Sequence, residues 1–372
     1  MTFFSISAEA FFSKRNILNL LRQSAPVLIA ACAMTFVITT KGIDLSIGST
    51  LAIINALCAV LLQQQWDWTL VFISLLVLGM FLGGIQGYFV AYEGIPAFIV
   101  TLAGMSVIRG FALLMTEGFT IPISSDIPIV QLGRGWLYGM PIPALIVILI
   151  VILSFILMQF TTFGRYVTGI GSNQESVRRS GINVNLYILL TYMMTGFCAA
   201  LGGIIIAGRL GSGSSNAGVM FELEVIAAVV LGGTNLFGGK GTIVGTVLGA
   251  LTIAVIGNGL ILAHVSPFYT QIITGFIILV AIWINTKYFQ RRTREVLLAE
   301  GSHARRVVVV SPPGATNAHA GSTEFLQVKP RPSRHALGAY SDRKADFFTV
   351  SRCSVNGDGA KTSRLSSLVR KW

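Results

Sequence analysis

The sequence has 372 residues, of which 53% are hydrophobic and only 11% are charged. Soluble domains carry about 25% charged residues, so this composition excludes an ordinary soluble fold and predicts a membrane protein. The net charge of +12 does not indicate nucleic-acid binding, because residues 1–286 contribute only +2 of it. The basic excess lies in residues 287–372, where anionic lipid headgroups are an equally good partner.

Long apolar segments predict helices that cross a membrane, since a crossing helix needs about 20 apolar residues. Eight segments approach or exceed that length, namely 23–40, 45–63, 68–91, 95–116, 143–160, 186–208, 242–262 and 267–286. A ninth and shorter apolar stretch covers 223–237. The short alternating segments of a membrane β-barrel are absent. The predicted fold is therefore an all-α polytopic membrane protein, with residues 23–286 as its transmembrane domain.

The positions of Lys and Arg predict which segments face the cytoplasm, because short basic loops are retained there. This rule places residues 1–22, the loop 161–185 and the tail 287–372 in the cytoplasm, and 117–142 outside. A chain that starts in the cytoplasm and reaches an outside loop at 117–142 must cross the membrane an odd number of times. Only four clear apolar segments precede that loop, so either one of them does not cross or one of them divides into two crossings. The total is then eight or ten crossings, and we favour ten.

Two apolar stretches are broken by the same short polar phrase, Gly-x-Asp/Asn-Leu-x-x-Gly. The phrases cover residues 42–48 and 233–239. Because freed backbone groups are costly in lipid, such breaks at matching places predict two discontinuous helices in related halves around a central pathway. The competing interpretation is that Asp44 or Ser46 caps a restarting helix. The candidates for lining the pathway are Gly42, Asp44, Ser46 and Asn235.

Other residues inside the apolar segments predict packing. Glycines recur at helical spacing and predict close helix contacts; they are Gly79, Gly83 and Gly87, and Gly241, Gly245 and Gly249. Arg109 is predicted to form a structural ion pair inside the bundle, since a charge is costly at mid-span. Glu222 and Glu224 fit the first turn of a helix, where the macrodipole favours acids.

No residue pattern in the chain predicts covalent chemistry. A Walker A motif ending at Lys240 needs Gly at 234 and Ser or Thr at 241, where Thr234 and Gly241 stand. The Cys and His residues have no metal-ligand spacing. We therefore expect no catalytic residue, no cofactor and no metal, and the chain is not predicted to be an enzyme.

The loop 161–185 contains a predicted short helix. Asn173 can cap it, residues 174–180 can continue it, and Gly181 can end it. Such a charged helix of one or two turns stands outside the membrane segments. It is either a surface connector or a docking element for a soluble partner, and the residues alone leave the two interpretations about even.

Four phrases together resemble the permease subunit of ribose-type ABC importers, the carbohydrate-uptake group of these transporters. They are residues 42–48, 95–102, 171–184 and 221–233, and they lie in order across roughly 70% of the chain. The resemblance implies a ten-helix permease of the bacterial inner membrane with both termini cytoplasmic. It also implies three kinds of partner: a cytoplasmic ABC ATPase, a periplasmic sugar-binding protein, and a second permease copy or paralogue.

The resemblance further implies that the loop carries the coupling helix that docks on the ATPase. The predicted coupling residues are Asn173, Glu175, Arg178, Ser180, Gly181 and Ile182. Two alternatives remain open, a permease of the same superfamily for branched-chain amino acids and an ion-coupled carrier. The sequence departs from the family in its long C-terminal extension, which we predict to be disordered over residues 293–372.

Overall fold

The computed structural model describes residues 13–263 without a gap and, beyond them, residues 265–266, 269, 272–273, 275–276, 279–280, 283, 325–328, 350–355 and 361–364. The chain divides into two compact units, Met1–Gln290 and Arg291–Trp372. Most of the tail for which disorder is predicted lies outside the described residues.

The first unit contains ten described helices and four two-residue strands. The helices are α1 (Lys14–Thr39), α2 (Ile47–Gln63), α3 (Trp68–Ala91), α4 (Ala97–Thr116), α5 (Pro128–Arg134), α6 (Ile142–Phe160), α7 (Thr162–Arg179), α8 (Val184–Leu210), α9 (Phe221–Leu231) and α10 (Ile243–Leu262). Helix α7 consists of two helical segments joined at Asn173, whose backbone is not helical (φ −152°, ψ 95°). Further helical residues are described between positions 269 and 283.

The strands form small antiparallel pairs. β1 (Ile121–Pro122) pairs with β4 (Ser212–Gly213), and β2 (Trp136–Leu137) forms a hairpin with β3 (Met140–Pro141). In the second unit, β5 (Phe325–Val328), β6 (Val350–Val355) and β7 (Lys361–Arg364) form an antiparallel sheet in chain order.

Helices α1 and α8 form the centre of the first unit. Their most apolar windows are 78% and 72% buried, whereas those of α3 and α4 are only 22% and 17% buried. Apolar side chains that stay exposed along a long helix need lipid around them. Six of the described helices, α1, α3, α4, α6, α8 and α10, are long and apolar enough to cross a membrane. The prediction of an all-α polytopic membrane protein is confirmed at this level.

The helices run between two ends of the bundle, which we name by what lies there. At the α7 end, the carbonyl of Thr39 accepts a hydrogen bond from the backbone N–H of Gly239 (2.9 Å), beside Gly171 of α7. At the hairpin end, near β2 and β3, the side chain of Asn16 bonds to that of Asn258 (2.9 Å). Helix α1 therefore begins at the hairpin end and finishes at the α7 end.

This course of α1 disagrees with one sequence-based expectation. Residues 13–22 and the loop 161–185 were predicted to share the cytoplasmic side, but they lie at opposite ends of the bundle. The reason is that α1 is a single helix of 26 residues, so its basic first turns are separated from α7 by the whole bundle.

Two short helices begin inside the bundle after irregular segments. Helix α2 follows segment 40–46, and α9 follows segment 211–220. In both places a long helix, α1 or α8, is followed by a stretch of turns and irregular backbone and then by a short helix. The sequence predicts a second broken helix at residues 233–239, and the structure does not place one there. That second phrase lies in the loop between α9 and α10, and the structural counterpart is 211–220.

Five of the six predicted glycines pack against a neighbouring helix as one face, whereas Gly241 precedes α10 and its Cβ would meet Thr35 and Thr39 of α1. A Cβ at Gly79, Gly83 or Gly87 of α3 would press on the α8 backbone or side chains between Leu189 and Ala200. A Cβ at Gly245 or Gly249 would press on the backbone of α9 and its following residue. Close backbone approach at small residues is a common way for helices to pack in membranes. These two contacts hold α3 to α8 and α10 to α9.

The contact between α3 and α8 is testable at Gly83. Gly83→Ala adds a Cβ against the Tyr192 carbonyl, so we expect the free energy of unfolding to fall by about 1–3 kcal/mol. The measurement is the melting temperature of the detergent-purified protein. Gly84→Ala is the matched control, because its Cβ would meet the side chain of Met193 at an ordinary 3.5 Å. Equal melting temperatures for the two variants would contradict the proposed packing.

Candidate functional sites

The carboxylate of Asp44 is buried and fully engaged by neighbouring groups. One oxygen accepts hydrogen bonds from the backbone N–H (2.9 Å) and hydroxyl (2.7 Å) of Ser46, and the other accepts from the hydroxyl of Thr195 on α8 (2.7 Å). Asp44 is only 2% exposed. It therefore fixes Ser46, the residue at which α2 begins, rather than accepting bonds from the amides of the helix itself.

The rest of segment 40–46 is also tied to neighbouring helices. The carbonyl of Ile43 accepts hydrogen bonds from Thr101 of α4 (3.2 Å) and Tyr192 of α8 (3.4 Å). The hydroxyl of Ser46 accepts a bond from the amide of Gln86 on α3. Gly42 is buried against Tyr192. Three helices thus satisfy the polar groups of one break.

The second break is satisfied mainly by Arg109. Its guanidinium donates to the carbonyls of Ser215 (2.6 Å) and Ala217 (2.8 Å), and more weakly to that of Gly218 (3.4 Å). The predicted ion pair does not form; within the described residues, the one pair closer than 4.0 Å is Glu175–Arg179. Glu222 attracts Arg109 electrostatically without touching it. Arg109 therefore donates its hydrogen bonds to backbone carbonyls of segment 211–220 instead of to a carboxylate.

The two short helices meet at their N-termini, and we name this contact the half-helix junction. A Cβ on Gly48, at the start of α2, would collide with the carboxylate of Glu222 in α9 and would lie 2.8 Å from the carbonyl of Gly218. Both helix macrodipoles therefore point their positive ends at one place. Among the described residues, four buried side-chain atoms near it have no hydrogen-bond partner, on Ser49, Gln86, Ser215 and Glu222.

Asn235 lies away from the other three pathway candidates. Its side chain closes its own loop, accepting from the N–H of Phe237 (3.1 Å) and donating to the carbonyl of Gly238 (3.1 Å). This loop touches Lys41, Gly171 and the end of α1 at the α7 end. The structure brings Gly42, Asp44 and Ser46 together. Asn235 lies apart from them, in a loop that packs against α7 and the end of α1.

The second segment of α7 forms the short helix that the sequence predicts. The side chain of Asn173 accepts a bond from the N–H of Ser176 (3.1 Å), as a cap does. At the other end, the N–H of Ser180 bonds back to Ser176 and Val177, and Gly181 has a positive φ of 80°. Local capping therefore fixes both ends of this segment, residues 174–179, which we name the α7 tip.

The α7 tip is exposed on nearly all sides. Of the six predicted coupling residues, Asn173, Glu175, Arg178, Ser180 and Gly181 are exposed and Ile182 is partly buried. Val177 packs against the hydrophobic core and anchors the tip. Glu175 and Arg179 form an ion pair at 3.1 Å with both side chains largely in solvent, so it contributes little to stability.

A cavity of about 400 Å³ at the hairpin end was not predicted. It lies between α1, α8, α9 and α10, and its polar side chains are Gln23, Ser24, Arg209, Glu224 and Asn258. The sequence signal was present, because Arg209 and Glu224 are charges within or beside apolar segments. Sequence reasoning assigned Glu224 only to a helix start. Among the described residues, no three His, Cys, Asp or Glu residues are placed to hold a metal ion.

Known proteins match most of the chain. Residues 16–282 match the family model described as branched-chain amino acid transport system / permease component. The chain is 41% identical to the ribose import permease protein of Haemophilus influenzae, over 73% of this chain and 85% of that protein. It is also 41% identical to the ribose import permease protein of Bacillus subtilis, over 76% and 88%.

A third relative, the xylose transport system permease protein of Escherichia coli K12, is 35% identical over 77% of this chain and 88% of that protein. No solved structure matches the chain. The family match covers well over half of the sequence, and these relatives are aligned over most of their own length. The chain therefore belongs to the ABC transporter permease family that this model describes, on the branch of its ribose and xylose import permeases.

Proposed function

We propose that this chain moves a monosaccharide across the membrane as the permease subunit of an ATP-driven ABC importer. It is a multi-pass protein of the bacterial inner membrane, as its family and its six long apolar helices indicate. The observation that carries the proposal is the half-helix junction inside the bundle. Helix N-termini that meet in the middle of a membrane protein are a recurrent way to build a site on a transport pathway.

The similar proteins favour a sugar over the alternatives. The family model is described for branched-chain amino acids, but the relatives aligned over most of this chain are ribose and xylose import permeases. A permease for branched-chain amino acids is therefore not favoured. An ion-coupled carrier is not favoured either, because the relatives include a protein described as a probable ABC transporter permease.

The α7 tip is the proposed contact with a separate ABC ATPase, which hydrolyses the ATP. Asn173, Glu175, Arg178, Ser180, Gly181 and Ile182 are the proposed contact residues. An isolated charged helix of six residues has almost no core contact of its own and gains little from forming in solution. Its two caps hold it in shape without a partner, which suits a surface that must be ready to dock.

Movement of the α7 tip has a direct route to the half-helices. Gly171, just before the tip, packs on the carbonyl of Thr39 and on the N–H of Gly239. Thr39 ends α1, which leads into segment 40–46 and α2. Gly239 belongs to the loop between α9 and α10. A displacement at the tip therefore acts on both short helices, one on each side of the junction.

We further propose that the α7 end faces the cytoplasm and the hairpin end faces outside. Residues 13–22 then lie outside, and the four crossings by α1 to α4 return the chain to the outside loop 117–142 without a fifth. An even number of crossings before the loop 117–142 then agrees with the four apolar segments found there. The described helices then make eight crossings, and the predicted cytoplasmic side of the tail 287–372 requires one further crossing after Leu262.

A second permease is the proposed cover for segment 211–220. Irregular backbone at membrane depth must be buried in protein or line a water-filled path, and Asn216, Val219 and Met220 are exposed in the single chain. A second copy or a paralogue packed against this face would bury part of the segment and would leave the rest lining a water-filled translocation path between the two permeases. A sugar-binding protein outside the membrane is the proposed donor at the hairpin end.

The function itself is tested by reconstitution. The chain, its ATPase and its binding protein are placed in proteoliposomes, and uptake of labelled D-ribose, D-xylose and L-leucine is compared with and without ATP. We expect ATP-dependent uptake of at least one sugar and none of leucine. ATP-dependent uptake of leucine alone would contradict the sugar assignment.

The coupling role is tested with Gly181→Pro. Proline cannot adopt a φ near +80°, so the end of the α7 tip must change shape. We expect sugar uptake to fall by about ten-fold or more, which corresponds to about 1.4 kcal/mol of lost docking energy. The matched control is Gly139→Pro, which imposes similar strain (φ +79°) at the hairpin end. Equal uptake by the two variants would contradict the docking role.

The membrane sides are tested by cysteine labelling. Lys14→Cys and Ser180→Cys are each made in a Cys353→Ser background, because the other three cysteines are buried. In intact cells, a membrane-impermeant maleimide should label position 14 and leave position 180 unlabelled until the membrane is opened. The reverse pattern would show that the two ends have been assigned to the wrong sides.

A further inference from the structure

We infer that the cavity at the hairpin end is a carbohydrate site of the permease itself, with Glu224 as its principal hydrogen-bond acceptor. This inference rests on the proposed function and deepens it. The proposed sugar contacts lie in the cavity, and not at Asp44, whose hydrogen bonds are already made within the protein.

The size and walls of the cavity suit a small polyol. Its volume of about 400 Å³ lies in the range of about 300–1,000 Å³ that is usual for small-molecule sites. One wall is apolar, with Val27, Ile206, Phe221, Ile253 and Ile261. A sugar ring has a face of C–H groups that packs on such a wall while its hydroxyls turn to the polar side.

The charges of the cavity are complementary to neutral hydroxyl groups. The carboxylate of Glu224 has no hydrogen bond and no ion pair closer than 4.0 Å among the described residues. Arg209 donates one bond to the carbonyl of Gln23 (3.2 Å) and keeps further N–H donors. A lone carboxylate accepts two neighbouring hydroxyls with charge-assisted strength. Arg22 also acts electrostatically on Arg209, so Glu224 is, in the described part of the cavity wall, the one carboxylate beside two guanidinium groups, and a cation is not favoured.

The neutral polar side chains of the cavity are mostly engaged already. The amide of Asn258 exchanges two hydrogen bonds with the amide of Asn16 (2.9 and 3.2 Å), and the hydroxyl of Ser24 donates to the carbonyl of Leu21 (3.4 Å). Gln23 is exposed. Glu224 and Arg209 are therefore the groups in the cavity with hydrogen-bonding capacity left for the hydroxyls of a sugar.

The cavity also has the right position for an entry site. Gly218 and Phe221 line it, and Gly218 also lies at the half-helix junction. The cavity therefore adjoins the point where α2 and α9 meet. Because the cavity is at the hairpin end, a sugar reaches it before it reaches the junction.

The test is a cycle between Glu224 and single hydroxyls of the sugar. Uptake of D-ribose and of its monodeoxy analogues is measured in proteoliposomes for the unmodified chain and for Glu224→Gln, which has the same shape. We expect Glu224→Gln to lower uptake of D-ribose about ten-fold. At least one analogue should lower uptake by the unmodified chain about ten-fold more than it lowers uptake by the variant. Effects of an analogue on the binding protein are common to both permeases and cancel.

The control is Glu117→Gln, which neutralises an exposed acid outside the cavity and should leave uptake unchanged. Normal uptake by Glu224→Gln would overturn the inference. So would a loss of equal size for D-ribose and every analogue, because a structural effect does not depend on one hydroxyl. If the unmodified chain moved neither D-ribose nor D-xylose, the proposed function would fall and the site with it.

Discussion

The structure depends on keeping backbone polar groups satisfied where two helices break inside the bundle. In lipid, each unpaired N–H or C=O costs several kcal/mol. Segment 40–46 is satisfied by side chains from α3, α4 and α8, and segment 211–220 by the guanidinium of Arg109. This explains why a charge is retained in α4 and why Asp44 is buried. Both residues hold irregular backbone in place, and neither has an obvious free bond for a transported molecule.

The same constraint shapes the route from the α7 tip to the junction. Because segment 40–46 is fixed to three helices, it cannot yield locally, and displacement of the end of α1 must move those helices together with α2. The loop 232–242 is closed on itself by Asn235, so it too transmits force as a unit. Rigid connectors of this kind allow a small shift at a docking surface to become a change between two packed arrangements.

The sequence predicts local features well and long-range equivalence poorly. The caps at Asn173 and Gly181 are correct because a cap depends on a few consecutive residues. The row Gly79, Gly83 and Gly87 and the pair Gly245 and Gly249 are correct because helical spacing alone places them on one face, whereas Gly241 lies before α10 begins. Asn235 was paired with Asp44 because its phrase matches residues 42–48 in letters, while the segment that leads into the second short helix, 211–220, shares no such pattern. The cytoplasmic side of residues 13–22 stays a prediction, and the parity argument behind it needs a crossing that α1 to α4 do not supply.

Helix α9 shows how two neighbouring acids can differ in role. Both Glu222 and Glu224 lie in its first turn, where the macrodipole favours negative charge, so sequence alone treats them alike. Two residues apart, they are about 200° apart around the helix axis. Glu222 faces the start of α2 and neutralises two positive helix ends, whereas Glu224 faces the cavity. Any rotation or tilt of α9 changes the junction and the cavity together. Opening of the path and release of a ligand from the cavity can therefore be one movement of one short helix.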